Sequence, residues 1–199
     1  MPTPTSTLGL VERAKGGDTE AFSLLFRKYR KRLAVLIHYR MSEQLRGKME
    51  VDDLLQESFL AAAQQMARFD YRAPGSFFAW LAAIAQRTIV DAARFHGRQK
   101  RGDREHVHLK TAGDSSGVEP ASFETPSRVF LREERLRDLL ERMDALSDEQ
   151  REVILLAKFA GLSTAEIAAR MGRERGAVAV LLHRALHRLR DNVQKAQHE

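Results

Sequence analysis

With 199 residues, 43% of them hydrophobic and 30% charged, the chain has room for one medium domain or two small soluble ones. It contains no cysteine, which excludes a disulfide framework, a thiolate metal site and a cysteine nucleophile. A net charge of +6 and a pI near 9.9, with arginine supplying most of the cations, favour a polyanionic partner.

Residues 1–7, with Pro2 and Pro4, are expected to be disordered. The opening MPTPTSTLGLVERAKGGD lacks the basic-then-apolar pattern of a signal peptide, and no run approaches membrane-spanning length. No membrane association and a cytoplasmic location are therefore expected. Leu8 to Lys15 predicts a short helix that Gly16 and Gly17 terminate, and Asp18 is placed to cap the next one. From Glu20 to about Met41 the apolar positions Phe22, Leu25, Phe26, Tyr29, Leu33, Leu36 and Ile37 keep helical spacing. Arg27, Lys28, Arg30, Lys31 and Arg32 cluster on that helix, as a solvated face or a hold on phosphates. Ser42 to Glu50 reads as a connection.

The next helix is expected to open at Asp52 or Asp53, with Asp53 and Gln56 forming a variant of the capping box. Leu54, Leu55, Phe59, Ala62, Met66 and Phe69 form its buried side, leaving Asp52, Gln56 and Glu57 outward at the first turn. After the loop YRAPGS, a second helix carries Trp80, Ala83, Arg87, Asp91, Arg94 and Arg98 on one stripe. Phe78, Leu81, Ala85, Thr88, Ala92 and Phe95 make an apolar stripe on another side. An aromatic ring with guanidiniums along a rigid rod offers bases a stacking surface and phosphates a countercharge. The same stripe also fits a Trp at a core edge beside a solvated arginine face.

Gly97 to Ser127 is rich in Gly, Ser, Asp and Pro without sustained period, and reads as a flexible tether. Arg128 to Ala145 predicts a charged helix with Val129, Leu136, Leu140 and Met143 inward. Ser147 to Gln150 and Ser163 to Glu166 are two capping boxes, the second with Leu162 and Ile167 at its staple positions. Gly161 ends the helix between them, and Gly172 ends the short one that follows. A last helix points Val178, Leu182, Ala185 and Leu189 inward. A short helix, a glycine turn and a longer helix make a helix-turn-helix. The fold expected is all-α: a disordered start (1–7), a helical domain (8–98), a linker (99–127), a helix-turn-helix domain (128–192) and a tail (193–199).

Taken together, GDTEAFSLLFRKY, VDDLLQESFLAAAQQMARFD and GSFFAWLAAIAQRTIVDAAR, followed by LSDEQREVILLAKFAGLSTAEIAARMG, resemble the extracytoplasmic-function sigma factors of the bacterial sigma-70 family. The first three stretches are similar to sigma region 2 and the last to the start of region 4. The resemblance implies a subunit that binds core RNA polymerase and directs promoter recognition and transcription initiation. It makes Asp52, Asp53, Gln56 and Glu57 the residues offered to the clamp of the largest polymerase subunit. It gives the loop and helix holding Phe69, Tyr71, Ser76, Trp80, Arg87, Arg94 and Arg98 the opening of the −10 element. It places the last helix in the −35 element, with Arg173, Arg175, His183, Arg184 and His187 toward DNA. The flap of the second-largest subunit and promoter DNA are further implied partners, and an anti-sigma factor is a candidate one.

One stretch departs from the pattern. Where the family usually reads Gly-Thr-Val-Lys/Arg-Ser-Arg, this chain has Gly176-Ala177-Val178-Ala179-Val180-Leu181. Ala179 and Val180 retain the capacity to touch thymine methyls; weak −35 reading, or a surface reused for a protein, are the alternatives. The competing function is a dimeric helix-turn-helix repressor or activator on duplex operator DNA. No Gly-rich phosphate loop, metal-ligand cluster or nucleophile motif suggests catalysis, a metal or a cofactor.

Overall fold

The computed structural model describes residues 6–99 and 134–195. Every described element is helical: α1 (Thr7–Lys15), α2 (Thr19–Arg40), α3 (Glu43–Arg46), α4 (Val51–Gln65), α5 (Ser76–Gln99), α6 (Glu134–Asp144), α7 (Asp148–Ile154), α8 (Thr164–Met171) and α9 (Arg175–Lys195). The expected all-α fold is what the structure shows. The tether, Val129 and the last four residues lie outside the described residues.

Local chemistry sets most of the boundaries. The Ser6 hydroxyl accepts the Gly9 N–H at 3.1 Å, so α1 begins at Thr7, slightly earlier than expected. The Asp18 carboxylate accepts the Ala21 N–H at 2.9 Å and an Arg13 N–H at 2.8 Å, which starts α2 and ties it to α1. These two bonds hold the Asp18 carboxyl below the usual range. The Ser42-to-Glu50 connection contains a further helix, α3, because the Ser42 hydroxyl accepts the Leu45 N–H at 3.3 Å. α4 opens at Val51 with Glu50 as its cap. Asp53 is therefore the third helical residue rather than the cap, and its carboxylate accepts the Glu50 N–H at 3.0 Å.

In the first half α1, α2, α4 and α5 enclose one core. α2 contributes Phe22, Leu25, Leu33 and Ile37, α4 contributes Leu54, Leu55, Phe59 and Ala62, and α5 contributes Phe77, Phe78, Leu81 and Ile84, all buried. Ser58, fully buried within α4, satisfies its hydroxyl on the Leu54 carbonyl at 2.6 Å. On α5 the core face runs through Phe77, Phe78, Leu81, Ile84, Ala85 and Ile89. Phe95, at the far end of the apolar stripe, is 41% exposed instead of buried.

In the second half Leu136, Met143, Val153, Ile154, Leu156, Ile167, Val178 and Ala185 are buried. Arg151 joins α6 to α7 by donating to the carbonyls of Met143, Asp144 and Leu146 at 3.0–3.1 Å, which satisfies the open end of α6. Both capping boxes form as expected, at Ser147 with Gln150 and at Ser163 with Glu166. α7 continues into a π turn over Leu155–Phe159 before reaching Gly161, a widening that the sequence pattern does not announce. Gly172 takes a left-handed conformation (φ 63°) and closes α8. α8, the turn and α9 make the expected helix-turn-helix.

The two halves touch along the C-terminal part of α2. The Tyr39 hydroxyl donates its one proton to the Asp144 carboxylate at 2.8 Å, with the Leu140 carbonyl 3.2 Å away as a second acceptor. Arg40 meets Glu152 at 2.8 Å, and the Arg151 guanidinium lies 5.4 Å from the Tyr39 ring centroid. Gly161 (φ 76°) lies close against Arg32, where an added Cβ would stand 3.4 Å from the guanidinium.

Candidate nucleic-acid interface

The first candidate surface is built by the turn after α4 and the start of α5. A short 3-10 turn, Met66–Arg68, delivers Phe69 inward. Gly75 (φ 92°) makes the left-handed step that lets Ser76 begin α5. The Ser76 hydroxyl accepts the Ala73 N–H at 3.5 Å, so this side chain organises the loop. Phe69 is only 6% exposed and its ring lies 4.6 Å from that of Trp80. Its expected place among base-contacting residues is corrected: it backs Trp80 because burial of an aromatic outweighs exposing it. Trp80 is half-buried, braced also by Phe77 at 5.6 Å, and Tyr71 stands half-buried at 6.5 Å from Phe69. The result is a rigid aromatic shelf with Trp80 and Tyr71 at its open edge.

Arg87 and Arg94 are exposed further along α5. Arg87 makes a long 3.4 Å bond to the Ala83 carbonyl, and Arg94 stands 3.6 Å from Asp91. Neither contact holds its guanidinium firmly, as the exposure and the distances imply. Arg98 belongs to α5, while its side chain lies outside the described residues. On α2 the basic cluster divides. Arg27, Lys28 and Lys31 are exposed, whereas Arg32 stacks 3.8 Å above the Phe78 ring with its Nε buried and without a hydrogen-bond partner. Arg32 thus serves packing between the halves rather than a solvated face.

The second surface lies at the front of α4. Arg46, Lys48, Glu50, Asp52, Asp53 and Gln56 line a concavity of about 440 Å³. Lys48 donates to the His96 carbonyl at 2.9 Å, fixing this wall to the end of α5. Asp53 and Glu57 are exposed and Gln56 is half-buried, as a surface offered to a partner requires. Asp52 departs from the expectation. It is 8% exposed, inside the wall instead of outward, because it lies three and seven residues before the buried Leu55 and Phe59 and so shares their helical face. Partial desolvation, and then the neighbouring Asp53 carboxylate, push the Glu57 carboxyl upward, with His96 opposing them. Sequence reasoning missed Arg46 and Lys48, which border these carboxylates; the Ser42 cap signal for α3 was the clue that would have placed them.

The third surface is the outer side of the helix-turn-helix. Arg173, Arg175, His183, Arg184 and His187 are all exposed, on or immediately before α9. Arg173 pairs with Glu149, and the His187 ring lies 2.9 Å from the Asp191 carboxylate. Arg175, His183 and Arg184 project from the same element, and the inward positions Val178 and Ala185 are fully buried. Among the described residues no group of three or more His, Asp or Glu converges as a metal site. No described helix is long and apolar enough to cross a membrane.

A helical body with an aromatic-cationic edge, followed by a helix-turn-helix with an arginine-rich outer side, has the features of a nucleic-acid-binding protein. The family model for ECF sigma factors matches residues 5–198, and the chain belongs to that family. It is 33% identical over 180 residues to the ECF RNA polymerase sigma factor BldN of Streptomyces coelicolor, covering 90% of this chain and 63% of BldN. It is also 33% identical over 185 residues to the ECF RNA polymerase sigma factor SigD of Mycobacterium tuberculosis, covering 92% of this chain and 82% of SigD. Among solved structures it is similar to the sigma factor RpoE of Bartonella quintana, crystallised with the anti-sigma factor NepR. That likeness has a TM-score of 0.44 and 22% identity, over 89% of this chain and 97% of RpoE.

Proposed function

We propose that this chain is the promoter-recognition subunit of a bacterial RNA polymerase, acting in the cytoplasm without catalytic chemistry of its own. The observation that carries the reading is the pairing, in one chain of the ECF family, of the Trp80–Tyr71 shelf with the helix-turn-helix of α8 and α9. The shelf and Arg87, Arg94 and Arg98 hold the extruded strand of the −10 element. Arg175, Arg184 and their neighbours approach the −35 element. Asp53, Gln56 and Glu57 dock on the clamp, beside Asp52 in the wall of the same concavity. The flap of the second-largest subunit and an anti-sigma factor complete the proposed partners.

Energetics require the large partner. Opening a bubble of about ten base-pair steps costs on the order of 14 kcal/mol, at roughly 1.4 kcal/mol per step. Stacking on one or two aromatics returns about 1–3 kcal/mol each. The chain therefore melts a promoter only as part of a polymerase holoenzyme. Family membership disfavours the dimeric repressor reading. Pull-down with core polymerase tests the assignment of α4: Asp53→Asn combined with Gln56→Ala weakens association. Unchanged recovery of polymerase by this double variant would contradict it.

A further inference from the structure

α9 presents an unusual outer face. Gly176, Val180, His183, Arg184 and His187 follow one another at helical spacing on the side opposite the buried Val178 and Ala185. Val180 is 50% exposed, the most open of the large apolar side chains in the described residues. Ala177 and Ala179 flank it, both exposed. Gly176 has nothing within 4 Å of where a Cβ would stand, so the helix front has a low profile that admits close approach. From Gly176 through Leu182 no side chain carries a hydrogen-bond donor or acceptor. Arg175 stands before this apolar patch, and Arg184 and Arg188 stand after it, all exposed.

We infer that α9 recognises thymine in duplex DNA by contact with its 5-methyl group, with Val180 as the specificity-determining side chain. The inference rests on the reading of α8 and α9 as the −35 head. The recognition helix of such a motif brings its N-terminal turns against base edges. In the major groove only thymine offers an apolar group; every other base-edge feature there is a donor or acceptor. The Gly176-to-Leu182 segment, without polar side chains, therefore discriminates by the methyl, while His183 and Arg184 one turn further on keep polar groups on the same face. The bracketing guanidiniums at Arg175, Arg184 and Arg188 supply the phosphate contacts that fix register without carrying sequence information. Charge selects the occupant: an arginine-rich border suits a polyanion, and an apolar protein helix would leave those cations unmatched.

The test uses the full chain assembled with core polymerase. Promoter duplexes selected from a randomised −35 library are enriched in thymine opposite α9. Replacing each selected thymine by uracil removes only the methyl and weakens binding about fourfold per contacted methyl. Val180→Ala, at an exposed helix position where alanine is well tolerated, abolishes the difference between thymine and uracil duplexes. Equal affinity of the two duplexes for the unaltered holoenzyme, with initiation intact, overturns this inference and leaves the sigma-factor reading standing. So does a uracil penalty that persists in Val180→Ala. A Val180→Ala variant with unchanged promoter affinity but weakened hold on a protein partner would make the face a protein surface and likewise overturn the inference. Failure to assemble with core polymerase at all overturns both.

Discussion

On the proposed reading, Trp80 has two tasks for one ring. Its inner edge packs on Phe69 and Phe77, and its outer edge forms the shelf on which an extruded base would stack. Trp80→Ala therefore costs stability, about 2 kcal/mol for a half-buried ring against roughly 3–5 for a fully buried one. It costs the open complex more. Loss of one stacking platform lowers open-complex formation about tenfold to a hundredfold, read by permanganate reactivity of unpaired thymines, while closed-complex binding at the −35 end changes little. Equal loss in both would return Trp80 to a purely structural role. Asp53 accepts the Glu50 N–H and, on the proposed reading, also faces the polymerase clamp. Asp53→Ala lowers stability by about 1 kcal/mol, whereas Asp53→Asn keeps an acceptor and removes only the charge. His38 supplies a pH test. Burial, then Arg46, lower its pKa below the ordinary 6.5, against the pull of Asp144. The unfolded chain then binds more protons between the lowered value and the ordinary one, so stability falls as pH falls through that window. Urea unfolding from about pH 7.5 down to about pH 5.5 shows a slope that His38→Gln reduces; an identical slope in both proteins would remove His38 from the account.

At the scale of elements, what the sequence reveals depends on how local the cause is. Both capping boxes of the second half, the Gly172 stop and the Asp18 start were legible because each is written in residues within one turn. The α4 start was misplaced by one or two residues because Glu50 and Asp53 offer a competing box to Asp53 and Gln56. Asp52 falls on the inner side because it shares the helical phase of Leu55 and Phe59, and its burial changes the candidate docking surface. The π turn at Leu155–Phe159 has no cap or glycine signature of the kind that marks the other boundaries. Phe95 shows the limit of periodicity: a stripe predicts which side of a helix is apolar, and not how far along it that side is covered.

At the scale of the molecule, the contact between the halves was not legible at all, because the pattern of each half is complete without the other. It rests on Tyr39 with Asp144 and Leu140, on Arg40 with Glu152, and on Arg32 beside Gly161. These polar contacts contribute on the order of 1–2 kcal/mol together, since the ion pair remains partly solvated. Such a sum biases an arrangement without locking it. Tyr39→Phe combined with Arg40→Ala therefore raises the radius of gyration in small-angle scattering while leaving helix content unchanged; an unaltered radius would show that apolar packing alone holds the halves. On the proposed reading the two halves serve both ends of a promoter spacer of roughly sixteen base pairs, which at 3.4 Å each spans about 55 Å.

The account as a whole meets its most direct test in reconstituted transcription. Core polymerase, mixed with the purified chain and a library of promoter templates, is predicted to yield run-off transcripts from a defined subset that core polymerase alone leaves silent. The same transcripts with and without the chain, or no transcripts in either case, would contradict it.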